Sequence, residues 1–211
     1  MDTIIFVVGL IGTISFAASG ALTAIERELD LFGVMIIGCL TATGGGMLRD
    51  ICMGVIPPSA LMAPEYLLLS AIVSVITFGI VALFRKKYHS FREKLLSVDN
   101  VIDALGLGAF SVMAVNSVVT AGYGDNALVV LLLGTVTCVG GSVLRDICTN
   151  VTPVIFRKRI YAVAALAGCA AYYYLDRILP RAISAGIGMF VVCEIRYLAT
   201  KYKLGFPIIH L

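Results

Sequence analysis

The segment Gly44-Gly45-Gly46-Met47-Leu48-Arg49-Asp50-Ile51-Cys52 returns 96 residues later as Gly140-Gly141-Ser142-Val143-Leu144-Arg145-Asp146-Ile147-Cys148, with seven of nine positions identical. Pro57 and Pro153 follow at the same offset, and a weaker echo pairs Gly12 and Phe16 with Gly106 and Phe110. Chance does not give such a match in 211 residues. The chain therefore reads as one unit used twice, with a remainder.

Composition says where the unit sits. Hydrophobic residues make up 60% of the chain and charged residues 14%, against about 45–50% and about 25% in soluble domains; mean hydropathy is +1.00. Disorder, a disulfide-stapled scaffold and a nucleic-acid-binding module are excluded. Apolar runs of spanning length fall at Thr3–Ile25, Phe32–Ile51, Pro64–Phe84, Val98–Thr120, Ala127–Cys148, Ile160–Leu175 and Ala182–Ala199. Seven spans of about 20 residues use roughly 140 residues and leave no room for a large soluble domain. The Tyr172-Tyr173-Tyr174 cluster suits the headgroup level. The first run lacks a basic flank and a small-residue cleavage site, so it reads as a span and not as a signal peptide.

The expected fold is an all-α membrane protein with seven transmembrane helices, arranged as a 3+3 inverted repeat plus one. Residues 1–84 form the first three-helix repeat, 85–97 a basic cytoplasmic linker, 98–176 the second repeat, and 177–211 the seventh helix and a cytoplasmic tail. An odd number of spans per copy forces the copies into opposite orientations, an arrangement that places a functional site near the midplane between them. Lysines and arginines set the direction. Arg27, Arg85, Lys86, Lys87, Arg92, Lys94, Arg157, Lys158, Arg159, Arg196, Lys201 and Lys203 fall on one face, 12 in all, against Arg177 and Arg181 on the other. The positive-inside rule then puts the N-terminus outside and the C-terminus in the cytoplasm. These loops read as topology signals rather than as lipid-headgroup sites.

A glycine in a helix interior costs about 1 kcal/mol against alanine. Gly44, Gly45 and Gly46 in span two, and Gly140 and Gly141 beside Ser142 in span five, are expected to break those helices and expose backbone carbonyls to a cavity. Close helix packing is the alternative, since glycine lets backbones approach. Arg49, Asp50, Arg145 and Asp146 follow the glycines, and a charge inside a span must face protein or water. Neighbouring helical residues point about 100° apart, so pairing across the repeat, Arg49 with Asp146 and Arg145 with Asp50, is expected. These groups serve either structure or conduction. Asp103, inside span four, reads as a cation site, a proton-coupled group or an interfacial residue. Ser15, Ser19, Thr41, Thr43, Asn116, Thr135 and Thr137 are candidate pore-lining groups, although serine and threonine in helices also bond back to their own backbone. The six cysteines show no CxxC spacing and read as small buried apolar residues. His89 and His210 suggest no catalysis. No nucleophile triad, phosphate loop or metal-ligand cluster is present in the sequence, so neither an enzyme nor a cofactor is expected.

The paired Gly-Gly-x-x-Leu-Arg-Asp elements, the proline after each and the 3+3+1 span pattern resemble the prokaryotic trimeric intracellular cation channels, a family also labelled a glycine-transporter domain. The resemblance covers nearly the whole chain. It implies a homotrimer in the cell inner membrane with an hourglass pore in each protomer. Spans one, two, four and five would line that pore, with kinks at the glycine runs, and K⁺ and Na⁺ would permeate. The third glycine is replaced by Ser142 in the second copy, and the lysine signatures of the animal members are not evident in spans two and five. A secondary transporter for glycine or another small solute uses the same architecture and is the alternative. In a non-transporting scaffold two midspan breaks would have no purpose.

Overall fold

The computed structural model describes residues 2–62, 64–84, 88–157, 160–202 and 204–205, with side chains omitted for 88–97 and 157. The side chains of Arg85, Lys86, Lys87, His89, Arg92, Lys94, Arg157, Lys158, Arg159, Lys203 and His210 lie outside the described residues. Nine α-helices and no strand occur among them: α1 (Thr3–Glu26), α2 (Leu31–Cys52), α3 (Ser59–Met62), α4 (Pro64–Leu83), α5 (Tyr88–Val118), α6 (Ala127–Cys148), α7 (Val154–Arg157), α8 (Tyr161–Leu175) and α9 (Arg181–Lys201). A single π-helical turn at Val119–Tyr123 extends α5 and ends where Gly122 takes a left-handed φ of 95°.

Local signals start these helices. Asp2, Asp30 and Asn126 cap α1, α2 and α6, each side chain accepting an amide of the first turn, from Ile4, Gly33 and Val129. Asp30 and Asn126 stand 96 residues apart, so the caps repeat with the motif. The exits repeat too. Gly54 and Asn150, at the same offset, take left-handed φ values of 74° and 54° just beyond α2 and α6. Pro64 opens α4, where the missing N–H is an orphan in any case.

Among the described residues six helices are long and apolar enough to cross a membrane: α1, α2, α4, α6, α9 and the stretch 98–123 formed by α5 and its π-helical turn. The expected count of seven is therefore not met by length. The expected sixth span is α8, whose 15 residues reach roughly 22 Å against about 30 Å of hydrocarbon. Small residues on α8, among them Ala164, Ala165, Gly168 and Cys169, are buried against neighbouring helices. Gly168 faces Val192 of α9 and Ser111 of α5.

The expected helix breaks do not occur. Both α2 and α6 run unbroken through their glycines. The glycines act in packing instead. A Cβ on Gly45 would collide with the carbonyl oxygen of Thr137, and one on Gly141 would collide with that of Thr41. Gly44 and Gly140 likewise sit against Leu144 and Leu48. Each contact is the other moved by 96 residues, and 41 meets 141 where 45 meets 137, so α2 and α6 cross antiparallel and reciprocally. The crossing of α1 and α5 follows the same rule. Gly12 faces the ring of Phe110 and Gly106 faces that of Phe16, and the two rings meet edge-on with centroids 5.0 Å apart. Contact of this depth between backbones returns the packing energy that the glycines forgo as helix formers.

Candidate functional site

The antiparallel crossing sends the two Arg-Asp pairs to opposite ends of the bundle. At one end the last turn of α2 presents Arg49 and Asp50. Asp50 Oδ1 accepts Arg49 Nε and an Arg49 terminal nitrogen at 2.9 and 2.7 Å. Its Oδ2 accepts the amide and hydroxyl of Ser59 at 2.7 and 2.5 Å. At the other end Asp146 Oδ1 accepts Arg145 Nε at 2.8 Å, and Oδ2 accepts the Val154 amide at 2.7 Å. In both copies the aspartate ties the motif helix to the first turn of the short helix that follows, α3 or α7. The cross-repeat pairing expected from the sequence is thus replaced by pairing within each dipeptide. An arginine side chain is long enough to fold back over its neighbour, and the antiparallel crossing carries the alternative partner to the far end of the bundle.

Around the matching cores the surroundings differ. A cavity of about 260 Å³ opens beside Arg49, among α1, α2, α3, α4, α5 and α6. Thr13, Thr43, Ser117 and Thr137 line it, and each donates its proton to the carbonyl four residues back, at 2.8–2.9 Å for the first three and 2.7 Å for Thr137. Their lone pairs remain for a cation or for water. Tyr66 also borders the cavity, and its hydroxyl is buried with no hydrogen-bond partner among the described residues.

Arg145 is ringed by further polar groups. One of its terminal nitrogens donates to Ser19 Oγ at 3.2 Å and lies 4.0 Å from Asp103 Oδ1. Asp103 also accepts the Tyr161 hydroxyl at 3.1 Å and a terminal nitrogen of Arg196 at 3.4 Å. The Arg196 guanidinium stacks over the Tyr161 ring, 4.7 Å from its centroid. Arg145, Asp146, Asp103, Tyr161, Ser19 and Arg196 are all buried. Asp103 is thus the centre of an ion network.

The other candidates scatter. Thr43 and Thr137 face the large cavity, whereas Thr41 is buried at the α2–α6 crossing and bonds back to Ile37. Thr135 bonds back to Leu131, Ser142 is buried and donates to the Val139 carbonyl, and Ser15 is buried against the Gly106 backbone. Asn116 lines a separate cavity of about 110 Å³ with Tyr172, Asp176, Arg177 and Arg181. Gly46 faces open space apart from Arg49. Of the cysteines, Cys138 and Cys169 are buried with sulfurs 4.0 Å apart, but Cys52 and Cys148, at the ends of α2 and α6, are exposed against the expectation of burial. Thr13, Ser59, Glu65, Tyr66, Ser117, Tyr161 and the pairing of Arg196 were not singled out from sequence. A lone Asp103 in one span and Arg196 in another was the readable sign of the last.

A family model described as Glycine transporter matches residues 6–82 and 100–177. The chain belongs to this family. A member from Escherichia coli (strain K12), the UPF0126 inner membrane protein YadS, is 32% identical over 97% of this chain and 95% of its own. Among solved structures, a prokaryotic TRIC channel in 0.5 M KCl matches with a TM-score of 0.85 and 32% identity, over 98% of this chain and all of the other. The TRIC trimeric intracellular cation channel orthologue from Rhodobacter sphaeroides matches with a TM-score of 0.83 and 30% identity, over 96% of this chain and all of the other. The family fold is therefore that of TRIC channels, its solved neighbours are channels and not enzymes, and the likeness supports a cation channel.

Proposed function

We propose that the chain is a passive monovalent-cation channel of the cell inner membrane, a homotrimer in which each protomer carries its own hourglass pathway for K⁺ and Na⁺. The observation that carries this reading is the cavity beside Arg49, where Thr13, Thr43, Ser117 and Thr137 from α1, α2, α5 and α6 have committed their protons backwards. Hydroxyl oxygens left as acceptors can replace part of the hydration shell of a cation. The waist lies at the Gly45–Gly141 crossing. The reciprocal contacts there support an inverted relation between the two halves, with α8 as the short counterpart of α4 and α9 as the added helix. With the N-terminus outside, the cavity opens outwards and the Asp103 network closes the cytoplasmic end. The trimer and the inner-membrane location are supported by the likeness to a trimeric intracellular cation channel orthologue and to an inner membrane protein.

Recording purified protein in planar bilayers under a K⁺ gradient tests this. Unitary currents that need no glycine and reverse at a potential set by that gradient are expected; a silent bilayer would refute it. The second reading, a secondary transporter for glycine, is favoured by the family's description and by Arg49 on the cavity wall, a natural partner for a carboxylate. It predicts glycine uptake into vesicles without unitary steps.

A further inference from the structure

The charged side chains that line the large cavity are Arg49 and Glu65. Arg49 is 5% exposed and lies 2.7 Å from Asp50, whose other oxygen is held by Ser59. Its charge is therefore met locally. Glu65 is exposed in the first turn of α4, and among the described residues no arginine or lysine lies within ion-pair reach of it. One negative charge is left over at the rim. The next residue, Tyr66, is 9% exposed and also borders the cavity, while its hydroxyl is buried near where a Cβ on Gly9 would stand. An oxygen-lined hollow with a surplus negative charge at its mouth attracts cations and repels anions.

We infer that Glu65 is the recruiting site for cations at the α2 C-terminal mouth, and that it offsets the arginine on the cavity wall. This rests on the channel reading above. The carboxylate acts through space and binds no ion tightly. It raises the local concentration of K⁺, so its effect is large when salt is dilute and vanishes when salt is concentrated. At about 10 mM salt the Debye length is near 30 Å, and at 1 M it is near 3 Å.

The test is unitary K⁺ conductance of the wild type, Glu65→Gln, Glu65→Asp and Glu65→Lys in planar bilayers. At about 10 mM KCl, Glu65→Gln should lower conductance about two- to threefold for current entering from the α2 C-terminal side, as one screened unit charge several ångströms away would do. Glu65→Lys should lower it further and Glu65→Asp should retain it, while all four should agree at 1 M. An unchanged conductance in dilute salt, or an equal loss at both concentrations, would overturn the inference. A wild type that never conducts would overturn the channel reading itself, and is distinguishable because it fails before any variant is compared.

Discussion

The two ends of the bundle carry the same motif and solve different problems with it. Arg145 faces Asp103 and Ser19 from neighbouring helices, whereas the positions that the 94-residue echo sets opposite these are Gly9 and Met113. Tyr161 donates to Asp103, but Tyr66, 95 residues earlier, looks onto Gly9 and finds no carboxylate. α9 then adds Arg196 to one end only. The Arg49 end lacks the acid and holds the cavity, and an added helix brings a further arginine to the Arg145 end. Duplicated halves become unlike through the residues around the motif, while the Arg-Asp clip itself is conserved between the copies.

Breaking the Asp103 network should have the largest effect. Asp103→Asn leaves Arg145 and Arg196 buried without full compensation, which costs about 3–5 kcal/mol when a partner of a buried pair is lost. Thermal unfolding in detergent should show the drop, and bilayer recordings should show more frequent opening. Arg49→Leu at the other end should cost less, because Asp50 keeps both hydrogen bonds from Ser59.

Altering the crossing comes next and strikes both ends together. Gly45→Ala drives a methyl group into the Thr137 carbonyl and should cost about 1–3 kcal/mol. Gly46→Ala meets only the tip of Arg49, at 3.9 Å, and should be neutral or stabilise by up to about 1 kcal/mol. Equal losses in the two variants, measured by the same unfolding assay, would contradict the packing role.

Gly9→Asp should sharpen the comparison by making the Arg49 end resemble the Arg145 end. The new carboxylate would stand beside the Tyr66 hydroxyl in a buried site where even a Cβ meets Met113 and Tyr66 at 3.1 and 3.2 Å, so conductance should fall and overpacking should cost about 1–3 kcal/mol in the unfolding assay. The smallest effect concerns Asp2, whose carboxyl is held below its ordinary value of 3.8 by the Arg181 guanidinium and the Ile4 amide. The contact with Arg181, at 2.8 Å, joins the start of α1 to the start of α9. A depressed carboxyl stabilises above its unfolded value and loses that contribution as the pH falls through the folded one. Asp2→Asn should therefore flatten the mild acid dependence of unfolding.

Much of this architecture was legible beforehand, and the failures have physical reasons. Span positions and the repeat were readable because apolar runs and identical residues are local. The glycine runs signalled something real, but a propensity cost cannot distinguish a break from a close crossing; the Thr41 and Thr137 carbonyls that decide it belong to the partner helix. Pairing within each Arg-Asp dipeptide was missed by treating side chains as rigid spokes. Thr43 and Thr137 border the cavity while Thr41, Thr135 and Ser142, as near to the motif, are not among its lining residues, because the facing helices decide which side of a helix meets the hollow. Glu65 and Tyr66 escaped because nothing local to α4 tells that its first turn borders the cavity.

In the proposed channel the cavity is reached from the Arg49 side and closed at the Arg145 side. In a chain whose six native cysteines are replaced, Thr43→Cys in oriented vesicles can be exposed to a membrane-impermeant thiol reagent on either side. Modification is expected from the Arg49 side alone, and from both sides once Asp103→Asn is added. Equal modification of Thr43→Cys from both sides without that second change, or modification only from the Arg145 side, would contradict it.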